Sequence, residues 1–358
     1  MKAVVKTEPG EGHVELRDWP EPSPASDEIK LKIGTAGICG TDLHIIKGSW
    51  PCRVPVVIGH EFCGTIIEVG SQVKTFKPGD RVLGSNPART CGSCYHCRVG
   101  NPFMCSARVS AGYMIDGAFA EYFCIAAERC HLLPDEVTFR QAALGEPLAV
   151  AVRAVIERTT VRPSDVVLVS GPGCVGLLTI QLAKLAGARV IVAGIDKDER
   201  RLTCARQMGA DRVVNASREN LLEIVSEYTD GQGADLVYEC AGVAASIALS
   251  LDAVKKEGTL VGLGILSGPM QFPYSQITLK ELRVVGSYGY VWNSWQTAIH
   301  LLRHRKVKTA ELISHEFPLA RFEEAFLAAD DGSAVKVLFD PAMEEPRATA
   351  PVPSGSPD

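Results

Sequence analysis

Apolar and polar positions change their rhythm once along this chain. Up to about residue 150 the apolar residues come in short runs, Ala3–Lys6, Glu28–Ile33, Gly64–Val69, Arg81–Gly84 and Phe119–Ile125, separated by glycine and proline. That punctuation predicts a compact, mostly β domain over 1–150. From Val161 the runs alternate with helical spacing: strands at Val166–Ser170, Arg189–Ala193, Leu236–Glu239 and Thr259–Leu263, helices from Val175, from Glu199 and near Ser246–Val254. Repeated βα units predict a doubly wound parallel sheet over 151–290 and an α/β class. Beyond Val284–Val285 lie a helical stretch, Ser294–Arg305, a strand, Ile313–Pro318, a helix, Phe322–Ala329, and a strand, Val335–Phe339. This segment, 291–340, either extends the sheet or returns to the first domain, and we assign it to the return. The tail 341–358, rich in Pro, Ser and Ala, is expected to be disordered.

The composition narrows the class. With 358 residues, 46% hydrophobic and 22% charged, the chain is an ordinary globular sequence. A net charge of −5 without a Lys/Arg block argues against nucleic acid as a partner. Met1–Glu8 has no apolar leader core, and the apolar stretch 166–195 is interrupted by Pro172, Lys184 and Arg189, so no membrane span and a cytoplasmic location are expected. Twelve cysteines in a chain of this size and compartment point to metal or catalysis, not to disulfides. Cys91, Cys94, Cys97 and Cys105 form C-x2-C-x2-C-x7-C, which predicts a closed, four-thiolate structural zinc.

Gly171-Pro-Gly-Cys-Val-Gly176 follows one predicted strand and opens a helix, the context that gives the dinucleotide fingerprint its meaning. Gly171 permits the tight turn, Gly173 the approach of a pyrophosphate, and Gly176 close packing of helix on strand. Asp196, 20 residues past Gly176, would bond the adenosine ribose, which favours NAD. If the strand ends instead at Gly194, Lys197, Arg200 and Arg201 lie near enough to hold a 2′-phosphate, which keeps NADP open. Cys39, His60 and a carboxylate are the ligand types of an open catalytic zinc.

With Gly59-His60-Glu61-x2-Gly64-x5-Gly70-x2-Val73, the four-cysteine lobe and the glycine loop in this order, the chain resembles the zinc-dependent medium-chain alcohol dehydrogenases over about residues 1–340. Within them it is most similar to the sorbitol (polyol) and threonine dehydrogenase branch, which carries Glu after the His and an acid–Pro pair, here Glu146-Pro147. The resemblance implies a GroES-like catalytic domain, a Rossmann domain, two zinc ions per chain and a homo-oligomer, tetramer or dimer. It implies Cys39 and His60 as ligands of the catalytic zinc, completed by Glu61 or Glu146. Thr41 and His44 are implied as a proton relay, and Asp42 is read as structural. Val175, Arg201, Leu263, Gly264 and Tyr288 are implied at the cofactor.

The implied reaction is oxidation of a secondary alcohol or polyol to a ketone with NAD or NADP. Alternatives are threonine 3-dehydrogenase-like activity and a non-catalytic nucleotide-binding zinc protein of the same fold. Both branches place an arginine near Gly289 or Tyr290, and here it is missing. Trp50, Phe119, Tyr288, Tyr290 and Trp292 are the candidate walls of a less polar pocket.

Overall fold

The computed structural model describes residues 1–332 and 334–343. The expected disorder of the tail falls, from residue 344, outside the described residues. The first part is built from β1 (Lys2–Lys6), β2 (Val14–Asp18), β3 (Glu28–Gly37), β4 (Val56–Val57), β5 (Glu61–Val69), β6 (Arg81–Gly84), β7 (Tyr122–Ala126) and β8 (Cys130–Leu132). The second contains β9 (Val166–Ser170), β10 (Arg189–Gly194), β11 (Arg212–Asn215), β12 (Ala234–Glu239), β13 (Val254–Gly262) and β14 (Arg283–Gly286). β15 (Ile313–Phe317) and β16 (Lys336–Phe339) follow.

β9 to β14 form one parallel sheet in the order β11-β10-β9-β12-β13-β14. The chain reverses its direction of winding beside β9, and in such sheets the ligand crevice opens at the carboxyl ends of the strands on either side of that point. β9 is buried along its whole length, as a strand covered on both faces by helices must be. One core gathers Val167, Val169, Leu178, Leu182 and Trp295.

The other large sheet runs β15-β16-β3-β5-β6-β8, with β7 also on β3, so the chain's C-terminal strands complete the N-terminal sheet. Its register positions the chemistry. Gly37 at the end of β3 faces Glu61 at the start of β5, and Leu338 of β16 faces Gly37. Cys39, His60–Glu61 and Lys336 are thus delivered to one corner by strand pairing alone. Ile29, Leu31, Phe62, Phe119 and Phe339 fill the core beneath it.

Several elements depart from the expected pattern. The strand expected at Phe119 begins at Tyr122, because the amides of Gly117, Ala118 and Phe119 are bonded to the carbonyls of Val57, Gly59 and Ile58. The helices Gly40–Ile46, Gly145–Val152 and Leu221–Tyr228 and the strands β2 and β11 were not anticipated. The first two helices begin in Gly and Gly-Glu-Pro, residues that read as loop signals until tertiary packing buries the turns behind them.

Candidate active site

Two groups of metal-ligand side chains converge. In the lobe of residues 91–105 the thiols of Cys94 and Cys97 are 3.5 Å apart, those of Cys91 and Cys105 3.6 Å, and those of Cys91 and Cys97 3.9 Å. Four thiolates at about 2.3 Å from a zinc ion stand about 3.8 Å apart, so the lobe fits that ion and leaves no position for substrate. Amides of Ser93 and Cys94 aimed at Cys91 lower its thiol to about 6, into the ligand form.

Ligand atoms of Cys39, His60 and Glu61 lie within 4.8 Å of one another, a thiol, an imidazole and a carboxylate suited to an open zinc site. Asp42 orders two of them. One carboxylate oxygen accepts the Cys39 amide at 2.8 Å, and the other faces His60 Nδ1 at 3.3 Å, which leaves Nε2 for a metal. Burial opposes a charge on His60, but the Asp42 carboxylate and Cys39 outweigh it and hold the imidazole well above its ordinary range. Asp42 is therefore an orienting residue as well as the structural one expected. Lys336, 3% exposed along its side chain, donates to Glu61 and, at 2.8 Å, to the Ile38 carbonyl. A lysine inside an otherwise apolar strand was the available signal for it, since lysine is rarely buried without a partner.

Glu146 falls outside the close group. Burial, and then the nearby Glu61 carboxylate, raise it to about 7, and the Tyr290 hydroxyl hydrogen-bonds to it. The Tyr290 hydroxyl also accepts the Asn86 amide at 2.8 Å. Of the two carboxylates left open by the sequence, Glu61 is the one grouped with Cys39 and His60.

Thr41 and His44, three residues apart on the helix Gly40–Ile46, line a cavity of about 470 Å³ with Cys39, Glu61, Gly173, Val175, Arg201, Leu263 and Gly264. His44 Nδ1 lies 3.2 Å from Ser49 Oγ. The cavity joins the metal corner to the glycine loop. Gly171 has φ +101°, and a Cβ there would meet the Ala241 amide at 2.7 Å. Gly173 faces open space, and Gly176 lies so close to Gly171 that its Cβ would stand 2.0 Å from that carbonyl. Tyr288 lines a neighbouring cavity with Leu263 and Gly264.

Asp196 corrects the sequence reading. β10 ends at Gly194, which lines a crevice beside the glycine loop with Lys197, Asp198 and Arg201, whereas Asp196 lies one residue beyond Ile195 in a turn and is absent from that lining. Its half-exposed carboxylate pairs with Arg218 at 2.7 Å and accepts from Asn215 at 2.8 Å, away from the crevice lining. Gly194 itself has little room for a side chain, since a Cβ would stand 2.9 Å from Pro172. Arg201 donates to the Ala334 carbonyl at 2.9 Å and to Asp198 at 3.2 Å. Two expected walls also fail: Phe119 is buried against Phe339, and Trp292 lies tilted against His131 in a separate cavity.

The family model described as an alcohol dehydrogenase GroES-like domain matches residues 25–135, and that of a zinc-binding dehydrogenase matches 174–304. A sorbitol dehydrogenase of Halalkalibacterium halodurans is 39% identical over 342 residues, 95% of this chain and 99% of the relative. A D-arabitol-phosphate dehydrogenase of Enterococcus avium is 35% identical, over 96% of this chain and 99% of its own. Among solved structures, a zinc-binding dehydrogenase from Sinorhizobium meliloti bound to NADP superposes with a TM-score of 0.87 at 32% identity, covering 95% of this chain and 99% of that one. Galactitol-1-phosphate dehydrogenase from Escherichia coli superposes with a TM-score of 0.87 at 30% identity, covering 95% and 100%. With both domains matched and nearly the whole chain aligned, the protein belongs to the zinc-dependent medium-chain alcohol dehydrogenase family and is an NAD(P)-linked dehydrogenase.

Proposed function

We propose that the protein oxidises a secondary alcohol or polyol to the ketone, with NADP accepted at least as well as NAD, at the corner formed by Cys39, His60 and Glu61. The observation that carries this reading is the shared cavity: the metal-ligand group and the glycine loop open into the same space. Zinc held by these three residues would supply Lewis acidity at the alcohol oxygen, and the nicotinamide would supply the hydride acceptor. The chain's own groups do the rest. Asp42 fixes the His60 ring and the Cys39 backbone, and Lys336 holds the Glu61 carboxylate. Thr41 takes the hydroxyl proton, and His44 passes it outward at the mouth of the cavity. Val175 would pack against the nicotinamide, and the amides opening the helix Cys174–Leu185 would hold the phosphates.

Cofactor choice follows from Gly194. Gly194 carries no carboxylate to repel a 2′-phosphate, Lys197 lines the same crevice, and the Asp198 carboxylate there is paired with Arg201 at 3.2 Å. We read the lobe of four cysteines as a second, structural zinc.

The twelve cysteines are all free, as in a reducing cytoplasm. Among the described residues no helix is long and apolar enough to cross a membrane. Among the described residues β14 pairs only with β13 and leaves Val284 48% exposed at the sheet edge, a surface that a second copy of this chain would cover. Initial rates with NAD and NADP against sorbitol, xylitol, butane-2,3-diol, threonine and simple secondary alcohols test the reading. If zinc-replete protein reduced neither cofactor with any secondary alcohol, phosphorylated polyols included, the proposal would fail.

A further inference from the structure

Position 289 has no room for the arginine missing from it. A Cβ on Gly289 would stand 2.4 Å from Phe103, because that ring packs edge-on against both Tyr288 and Tyr290, with centroids 5.4 and 4.8 Å away. A guanidinium nevertheless reaches this place from another direction. Arg108 lies 5.4 Å from the Phe103 centroid and 5.2 Å from that of Tyr288, and donates to the Phe103 carbonyl at 3.0 Å and the Tyr288 hydroxyl at 3.2 Å. Among the described residues no carboxylate pairs with it.

The strand of chain that carries Arg108 is a wall of the metal corner. Gly112 packs on the backbone of Gly59, the residue before His60, so closely that a Cβ would meet its carbonyl at 2.7 Å. The Tyr113 carbonyl accepts the Arg53 amide at 2.7 Å, and its ring stands edge-on to Trp50. The buried Trp50 Nε1 has no partner and is a free donor beside that wall. On the other side, Tyr288 shares a cavity of about 600 Å³ with Leu263 and Gly264. Arg108 is thus half-buried against two rings and bonded to Tyr288, which lines that cavity, and two hydrogen bonds leave part of its five-donor fork unused.

We propose that Arg108 is a specificity-determining residue that binds a terminal phosphate on the substrate, which makes the substrate a phosphorylated polyol. A guanidinium fork matches the oxygens of a phosphate monoester or carboxylate, and its aromatic clamp lowers the cost of ordering it. Two of the similar proteins are named for phosphorylated polyols. The inference rests on the alcohol dehydrogenase reading above and narrows its substrate.

The test compares D-arabitol phosphate, galactitol 1-phosphate, the neutral polyols and the matching aldonates, in wild type, Arg108→Met, Arg108→Lys and Tyr288→Phe. We expect kcat/KM at least 30-fold higher for a phosphate than for its neutral polyol, carried by KM. That ratio should fall toward one in Arg108→Met, remain partial in Arg108→Lys, and drop several-fold in Tyr288→Phe, which keeps the ring and removes the hydroxyl. Calorimetric titration of the polyol phosphate into the enzyme with NADPH bound should show the same order, with zinc content and melting temperature confirming that each variant is folded. Equal efficiency on neutral and phosphorylated polyols, or a ratio preserved in Arg108→Met, overturns the proposal, and a preference for the aldonate overturns the choice of phosphate. Oxidation of no alcohol at all would instead reject the underlying activity, and the titration would still decide the role of Arg108.

Discussion

The ammonium of Lys336 meets the carboxylate of Glu61 across 275 residues of sequence, both side chains no more than 3% exposed. Burial works against the charge on Lys336, but Glu61 raises it well above the ordinary lysine range, so the ammonium stays charged at neutral pH. The link ties β16 to the metal corner and determines where the Glu61 oxygens point.

Removing one partner of a buried pair leaves the other charge uncompensated, which costs about 3–5 kcal/mol. Lys336→Met should therefore lower unfolding stability by that order in denaturant titration and weaken zinc retention against a chelator, and Lys336→Arg should lose less. Wild-type stability in Lys336→Met would show that the pair carries no such role.

The two cysteine groups should separate stability from turnover. Cys94→Ser is expected to lower the melting temperature and remove one zinc per chain, because a structural zinc contributes folding free energy directly. Cys39→Ser should keep a folded chain and lose turnover with the other zinc. Metal analysis, thermal melts and rates on the same preparations distinguish them, and an active Cys39→Ser would remove that residue from the site.

Cofactor preference should depend on Lys197 and be indifferent to Asp196. Lys197→Ala is expected to lower kcat/KM with NADP by about 1 kcal/mol, roughly fivefold, the scale of an exposed charge contact, with a smaller effect for NAD. Asp196→Ala should change the NADP to NAD ratio by less than twofold, since its carboxylate is engaged with Arg218 and Asn215. A clear loss of NAD efficiency in Asp196→Ala would restore it to the ribose.

His131 sets an acid limit on stability. It stacks on Trp295 at 5.0 Å and burial lowers its pKa to about 4, against 6.5 ordinarily. The neutral ring is the folded form, so the unfolded chain binds the extra proton. Its contribution is complete above pH 6.5 and declines as pH falls toward 4, by about 3 kcal/mol for a shift of this size. His131→Phe should flatten that part of the stability profile measured between pH 4 and 7. An unchanged slope would mean that other groups carry it.

The features legible in the amino-acid order lie within short reach along the chain. Cys91 to Cys105 span one loop, and the residues from Gly171 to Gly176 span one turn between a strand and a helix, so their spacing alone implies their geometry. The parallel sheet was legible for a related reason: βα units have handed, short-range connections, and strands such as β9 must be apolar throughout. The remainder depends on contacts between distant segments. Glu61 joins Cys39 because β3 and β5 pair in one register, and Lys336 arrives because β16 pairs with the far end of β3. Asp196 turns away because β10 ends two residues before it, a boundary that no local pattern specifies within two residues. Arg108 takes the place closed at Gly289 because a ring from a distant lobe fills it, and contacts across 180 residues leave no periodicity to read.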